Sequence, residues 1–124
     1  MKKVLLSIPL VLLLFAACRK TNNPTVYDLG IDIQSSFDQD NVQLYIDNQP
    51  LLNTRVSSSH LLGLATSIST ANTDGNHTIK IVINGNTVKI ESFTQSSDLY
   101  IGVNYNRSTK AISLTYSKHG FMYY

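Results

Sequence analysis

One thiol, three imidazoles, eight side-chain carboxylates and seven phenols are the reactive or ligand-forming groups of this 124-residue chain. The imidazoles, His60, His77 and His119, are far apart in sequence, and no second cysteine can join them in a metal site. His77 heads an alternating apolar segment and reads as a rim histidine that caps a sheet. Asp38-Gln39-Asp40-Asn41 sets oxygen ligands in series, but it lacks the turn glycine and the bidentate glutamate of a calcium loop, so an acidic turn is expected. The single glutamate, Glu91, sits beside lysines, and a glycosidase needs a carboxylate pair. G-x-S-x-G, S-x-x-K and H-E-x-x-H are all missing. The expectation is therefore no catalytic residue, no metal site, no cofactor and no enzyme activity. The phenols offer a different chemistry. Tyr45 and Tyr100 fall on the opposite parity to their apolar neighbours, which predicts a shared solvent face that Tyr105, Tyr123 and Tyr124 extend. Aromatic platforms of this kind bind peptides, sugars and partner proteins. The missing tryptophan weakens the sugar version.

The thiol is the most informative group. Lys2 and Lys3 precede a run over 4–17 that is apolar except for Ser7 and Pro9. That run is too short to span a bilayer core, which needs about 20 residues, and it suits the h-region of a secretory signal peptide. It ends in Ala16 and Ala17, directly before Cys18. A lone cysteine in an exported domain has no disulfide partner. The segment Leu14-Phe15-Ala16-Ala17-Cys18 resembles the lipobox of bacterial lipoproteins, with Phe15 in place of the usual Leu, Val or Ile. The resemblance implies acylation of the Cys18 thiol, cleavage before it, and attachment to a membrane through the lipid. Two or three acyl chains, at about 0.8 kcal/mol per buried CH₂, hold firmly where one chain is marginal. Sorting systems of this family keep some members at the inner membrane by an acidic residue just after the cysteine. Arg19 stands there instead, which favours the outer membrane and its periplasmic face. Surface display, marked in some bacteria by an acidic cluster near the cysteine, stays open, since the first acidic residue is Asp28.

The chain accordingly divides into a signal peptide (1–17), the lipidated cysteine with a tether containing Pro24 (18–25), and a domain (26–124). Both leader lysines leave with the signal, so the remaining Lys and Arg balance Asp and Glu at eight each. A broad basic surface for nucleic acid is excluded. Ser, Thr and Asn make up 35 of the 107 residues from Cys18 onward, a composition that disfavours long helices.

Alternation marks the elements that must carry these groups. Leu29, Ile31 and Ile33 alternate with polar residues, as do Val42, Leu44 and Ile46, then Leu99, Ile101 and Val103, then Ile112, Leu114 and Tyr116. Asp47-Asn48-Gln49-Pro50 and Asn106-Arg107-Ser108-Thr109 read as turns. Asn84-Gly85 predicts a two-residue type I′ hairpin with Ile81 opposite Val88, Ile79 opposite Ile90, and Lys80 opposite Lys89 on a wet face. Over 57–70, Leu61, Leu64, Ala65 and Ile68 fit a helical face, while Gly63 and the serines and threonines favour a strand. Seven or eight short strands without a helix predict an all-β, antiparallel β-sandwich.

Asn41-Val42-Gln43-Leu44-Tyr45-Ile46-Asp47-Asn48 resembles a "V-x-V-Y-I-D-G" strand and turn, and Asp74-Gly75-Asn76-His77-Thr78-Ile79-Lys80-Ile81 a "G-x-H-x-I-x-V" strand opening. Both are found in small lipoproteins of Gram-negative bacteria that carry an immunoglobulin-like or transthyretin-like sandwich. Asn48 in place of glycine implies a positive φ. Most such domains have no known function and several serve as binding or accessory modules, so the resemblance implies a membrane-tethered, non-enzymatic module for a protein or glycan partner. The alternative is a small envelope hydrolase or a hydrolase inhibitor, the latter working through an exposed rigid loop in 57–70.

Overall fold

The computed structural model describes residues 24–123; the leader, Cys18 and Tyr124 lie outside the described residues. Eight strands follow in order: β1 (Val26–Ile33), β2 (Asp40–Ile46), β3 (Gln49–Val56), β4 (Thr66–Thr73), β5 (Gly75–Ile83), β6 (Thr87–Gln95), β7 (Leu99–Asn106) and β8 (Ala111–Ser117). They form two four-stranded sheets, β4-β1-β7-β8 and β3-β2-β5-β6. The alternating residues meet between the sheets. Leu29, Ile31, Ile33, Ile101 and Val103 of the first sheet face Val42, Leu44, Ile79, Ile81 and Ile83 of the second, all essentially without solvent contact. Each such side chain contributes about 1.5–3 kcal/mol of burial.

The pairing is antiparallel except for β1 with β7, which run parallel. The expected wholly antiparallel sandwich is corrected on this point. β1 and β7 both start at the same end of the molecule, and the chain crosses between sheets before it returns.

The hairpin register also differs from expectation. Ile83 pairs with Thr87, so the loop holds Asn84, Gly85 and Asn86, and β6 is shifted by one residue. Val82 pairs with Val88, Lys80 with Ile90 and Ile81 with Lys89. A one-residue slip turns every side chain of a strand to the other face. Phe93 and Gln95 thereby enter the interior, and Val88 and Ile90 stand in solvent at 51% and 61% exposure. The far end of the strand decided the register. Phe93 packs between His77 and Tyr116, with ring centroids 5.7 and 6.3 Å away. Gln95 donates to the Asp28 carbonyl at 2.9 Å and accepts from Asn72 Nδ2 at 2.8 Å, tying β6 to β1 and β4.

The expected four-residue turn after Ile46 is shorter. Only Asp47 and Asn48 form it, with φ of 51° and 67°, and Gln49 and Pro50 already belong to β3. Pro50 is tolerated because β3 is an edge strand. The positive φ expected at Asn48 is present.

The strands define two poles. Pro24 and Thr25 lie at the proximal pole with the Asp47–Asn48 turn and Asp74, whose N–H bonds the Thr25 carbonyl at 2.9 Å. The loops 34–39, 57–65, 84–86 and 107–110 gather at the distal pole. Eight extended residues at roughly 3.3 Å each set the poles about 26 Å apart.

Candidate functional site

At the distal pole a cleft of about 510 Å³ lies between the β1–β2 loop, the β3–β4 loop and Arg107. Its residues come from turns because strand ends there leave backbone groups without ladder partners, and serine supplies them. Ser58 Oγ donates to the Gln34 carbonyl at 2.5 Å and accepts the Phe37 N–H at 3.1 Å. Ser57 Oγ accepts the Gln39 N–H at 2.8 Å. These bonds zip 57–58 to the β1–β2 loop. Phe37, buried and stacked on Tyr105 at 5.8 Å between centroids, supports the loop from beneath. Ser36 and Gln39 take φ of 72° and 52°, a left-handed backbone that side chains seldom adopt. The interlocking holds that geometry in place.

Asp40 is the centre of the pole. It is 3% exposed, and each carboxylate oxygen is committed. Oδ2 accepts Arg107 Nη1 at 2.5 Å and the Asp38 N–H at 2.9 Å. Oδ1 accepts Asn84 Nδ2 at 2.8 Å. Burial works against the charged carboxylate, but these hydrogen bonds and the guanidinium charge outweigh it and hold Asp40 below the ordinary carboxylate range. One acidic side chain thus joins the β1–β2, β5–β6 and β7–β8 turns. Its sequence neighbourhood suggested only an acidic turn. Burial and the approach of Arg107 from 67 residues away have no local signature.

Beside the cleft, 57–65 forms a braced loop, and the strand expected over 57–70 begins only at Thr66. Ser59 Oγ accepts the Leu61 and Leu62 N–H groups at 3.3 and 3.2 Å, and the Ser59 carbonyl accepts the Gly63 N–H at 2.8 Å. Gly63 reverses the chain at φ 69°. The result presents Leu61, at 84% exposure, and Leu62 to solvent. Two leucines stand on a hydrogen-bonded turn as an exposed apolar tip, and a braced backbone has little loop entropy left to lose on contact. His60 and the half-exposed Arg107 side chain flank the cleft with hydrogen-bond donors.

The expected tyrosine platform does not assemble. Tyr45 is on the outer face of sheet β3-β2-β5-β6, where Lys80 Nζ lies 5.6 Å from its ring centroid. Tyr100 belongs to the other sheet and lies against Gly30, where an added Cβ would meet its Cδ1 at 2.6 Å. Tyr105 is interior, at 7% exposure. It shares the parity of Ile101 and Val103, the signal that places it inside. Tyr123 does reach the Tyr100 face, donating to Asp32 Oδ2 at 2.5 Å and accepting from Gln34 Nε2 at 3.0 Å. Burial and the Asp32 carboxylate push its phenol up to about 12, against a smaller opposing effect of Gln34.

His77 caps the proximal pole. Nδ1 lies 2.5 Å from Asp47 Oδ2 and Nε2 lies 2.6 Å from the Thr73 carbonyl. The Asp47 carboxylate and the Thr73 carbonyl accept only, an arrangement that favours the ring protonated on both nitrogens, with the Thr73 hydroxyl 3.5 Å from Nε2. Burial opposes that charge, but the Asp47 and Thr73 hydrogen bonds and the Asp47 charge raise the His77 pKa above its ordinary value. A ring with both nitrogens committed has no lone pair for a metal or a substrate proton, so His77 is a latch. Among the described residues, no group of three or more His, Cys, Asp or Glu gathers around one point. The chain matches no known protein family and shows no significant similarity to a curated protein.

Proposed function

We propose that this chain is an outer-membrane lipoprotein, held by acylated Cys18, whose sandwich is a non-enzymatic binding module for a protein or glycan partner. The observation that carries this reading is the separation of the two poles. Pro24 enters at the proximal pole, so a tether there directs the cleft and the Leu61–Leu62 tip away from the membrane. Leu61 is the most exposed large apolar side chain among the described residues. A rigid apolar tip beside a polar cleft has the form of a protein-contact surface, with an anchor at the centre and hydrogen-bonding groups around it. The sandwich is taken as transthyretin-like. Two sheets of four, with β1 inside its sheet and parallel to β7, depart from the seven-stranded immunoglobulin constant arrangement.

The inhibitor reading draws on the same braced loop, since a rigid, exposed segment is what a hydrolase cleft would accept. Tyr45 and Tyr100 remain contact residues of two separate faces. The anchoring is tested by Cys18→Ala, which is expected to abolish incorporation of a clickable fatty acid; unchanged labelling refutes it. The binding surface is tested by crosslinking in native cells with Leu61→Asp/Leu62→Asp. Loss of the crosslinked species at unchanged thermal stability is the expected result, and an unaltered crosslinking pattern removes the tip from the contact.

A further inference from the structure

The four edge strands of the sandwich are not equally protected. A bare edge presents a row of peptide groups that templates pairing with another chain, and stable folds block it with charge, proline, bulges or cover. β3 carries Pro50, Arg55 and a register shift at Leu44/Tyr45 in its pairing with β2. β6 turns Lys89 and Glu91 toward the sandwich side. β8 lies between Lys110 and Lys118, and its flank is filled by Tyr116, which packs on Phe93 and bonds Glu91 of β6. β4, Thr66-Ser67-Ile68-Ser69-Thr70-Ala71-Asn72-Thr73, has no charge, no proline and no register shift along its whole length.

Its free hydrogen-bonding groups can be assigned. The Gln34 N–H goes to the Val103 carbonyl, so even-numbered peptide groups of β1 face β7 and odd-numbered ones face β4. The Asp74 N–H on the Thr25 carbonyl gives the same phase. Pairing in register, Thr66, Ile68, Thr70 and Asn72 spend their peptide groups on β1. Those of Ser67, Ser69, Ala71 and Thr73 point outward; His77 takes the Thr73 carbonyl, the Thr70 hydroxyl donates to the Ala71 carbonyl at 3.4 Å, and the four outward N–H groups stay open among the described residues. Beneath this edge, no side-chain hydrogen bond or ring contact joins β4 to β3 among the described residues. The half-buried Leu52, Ala65 and Ile68 pack on the core at that side.

We propose that β4 is a docking edge for an extended segment of a partner protein, added as an antiparallel fifth strand. The outward peptide groups select an extended backbone. The row of Leu52, Ala65 and Ile68 selects apolar side chains at alternate positions of that segment, which would cover the open flank. The small outer residues Ser67, Ser69 and Ala71 impose little on the other face. A second copy of this chain pairing β4 on β4 would reverse one molecule, placing the two proximal poles at opposite ends. That choice of occupant rests on the lipid anchor proposed above; the docking edge itself does not.

The probe is a short synthetic peptide of alternating valine and threonine with a lysine at each end, added to the purified full chain. Amide exchange read residue by residue should slow at Ser67, Ser69, Ala71 and Thr73, leaving Thr66, Ile68, Thr70 and Asn72 as protected as before. Ser69→Pro removes an outward donor without touching the β1 ladder and should weaken binding roughly tenfold, the loss of about one well-formed hydrogen bond with its neighbours. Ala71→Lys, which is safe for folding at an exposed site, should do the same at unchanged thermal stability. Equal peptide binding by all three chains, or protection outside β4, overturns the proposal. Concentration-dependent dimers in which Ser67, Ser69, Ala71 and Thr73 are protected without peptide overturn the choice of partner. None of these results depends on whether Cys18 is acylated or whether Leu61 touches a partner.

Discussion

Replacing His77 by glutamine tests the proximal latch most directly. The imidazolium donates to Asp47 at 2.5 Å and to the Thr73 carbonyl at 2.6 Å, while Thr78 N–H supplies the other Asp47 oxygen at 2.9 Å. Glutamine can replace one of the two donors and none of the charge. A hydrogen bond to a charged group is worth about 1.5–3 kcal/mol, but the Asp47 side chain is 46% exposed, so water recovers part of that bond. The net loss should be about 2 kcal/mol, or roughly 10 °C in Tm for a domain of this size. The pH dependence is more specific. The folded pKa of His77 is raised, so its contribution is complete below about 6.5 and disappears as pH climbs through the folded value. The folded pKa of Asp47 is lowered. Burial raises it, but the His77 and Thr78 hydrogen bonds and the His77 charge prevail, so its contribution holds above the unfolded value and is lost as pH falls through the folded one. The wild-type chain should therefore lose stability on the alkaline side as the ring gives up its extra proton. His77→Gln should be flat there. Thermal unfolding by circular dichroism from about pH 5 to 9 reads both quantities. Parallel profiles for the two chains, or a Tm within about 2 °C of wild type at pH 6, would refute the imidazolium assignment.

Three other substitutions probe separate parts of the fold. Ile90→Lys should change stability by no more than about 0.5 kcal/mol in chemical denaturation, because Ile90 faces water, whereas an interior Ile90 opposite Ile79 would make the change cost several kcal/mol. Asp40→Ala should cost about 3 kcal/mol, since it leaves the Asp38 N–H and Asn84 without their acceptor, and Arg107→Ala should cost less at neutral pH and lose less stability on acidification than wild type, because without the guanidinium the folded pKa of Asp40 moves back toward its unfolded value. Gly30→Ala should cost about 1–3 kcal/mol and move the Tyr100 ring resonances, because its new methyl would lie 2.6 Å from the ring unless the ring swings away.

Much of the framework was legible because it rests on local periodicity. The alternation through 29–33, 42–46, 79–83 and 99–103 marked four of the eight strands, the hairpin and the 112–116 alternation two more, and the apolar parity of those four ranges became the inner faces of both sheets. Asn48 announced a left-handed turn, and His77 announced a capped strand end, since each follows from residues within a few positions. Tyr105 was equally legible on parity with Val103, yet aromatic character drew it into the surface group.

What needed the tertiary structure involved partners distant in sequence. Asn84-Gly85 by itself favours a two-residue loop, but burial of Phe93 against His77 and Tyr116, and of Gln95 against Asp28 and Asn72, shifted β6 by one position. Local turn preference is a fraction of what an interior aromatic and two satisfied hydrogen bonds contribute, so the far end of the strand prevailed. The parity of Tyr45 and Tyr100 was readable, but which sheet each strand joins was not, because strand order depends on crossovers between sheets. Asp40 became a buried tie for the same reason: Arg107 and Asn84 reach it only once eight strands have brought four loops to one pole. The amino-acid order determined most of the strands and, β6 apart, their wet and dry faces. Only the folded chain decided which faces, edges and loops stand together, because those choices are made by burial summed over contacts that no short window of sequence contains.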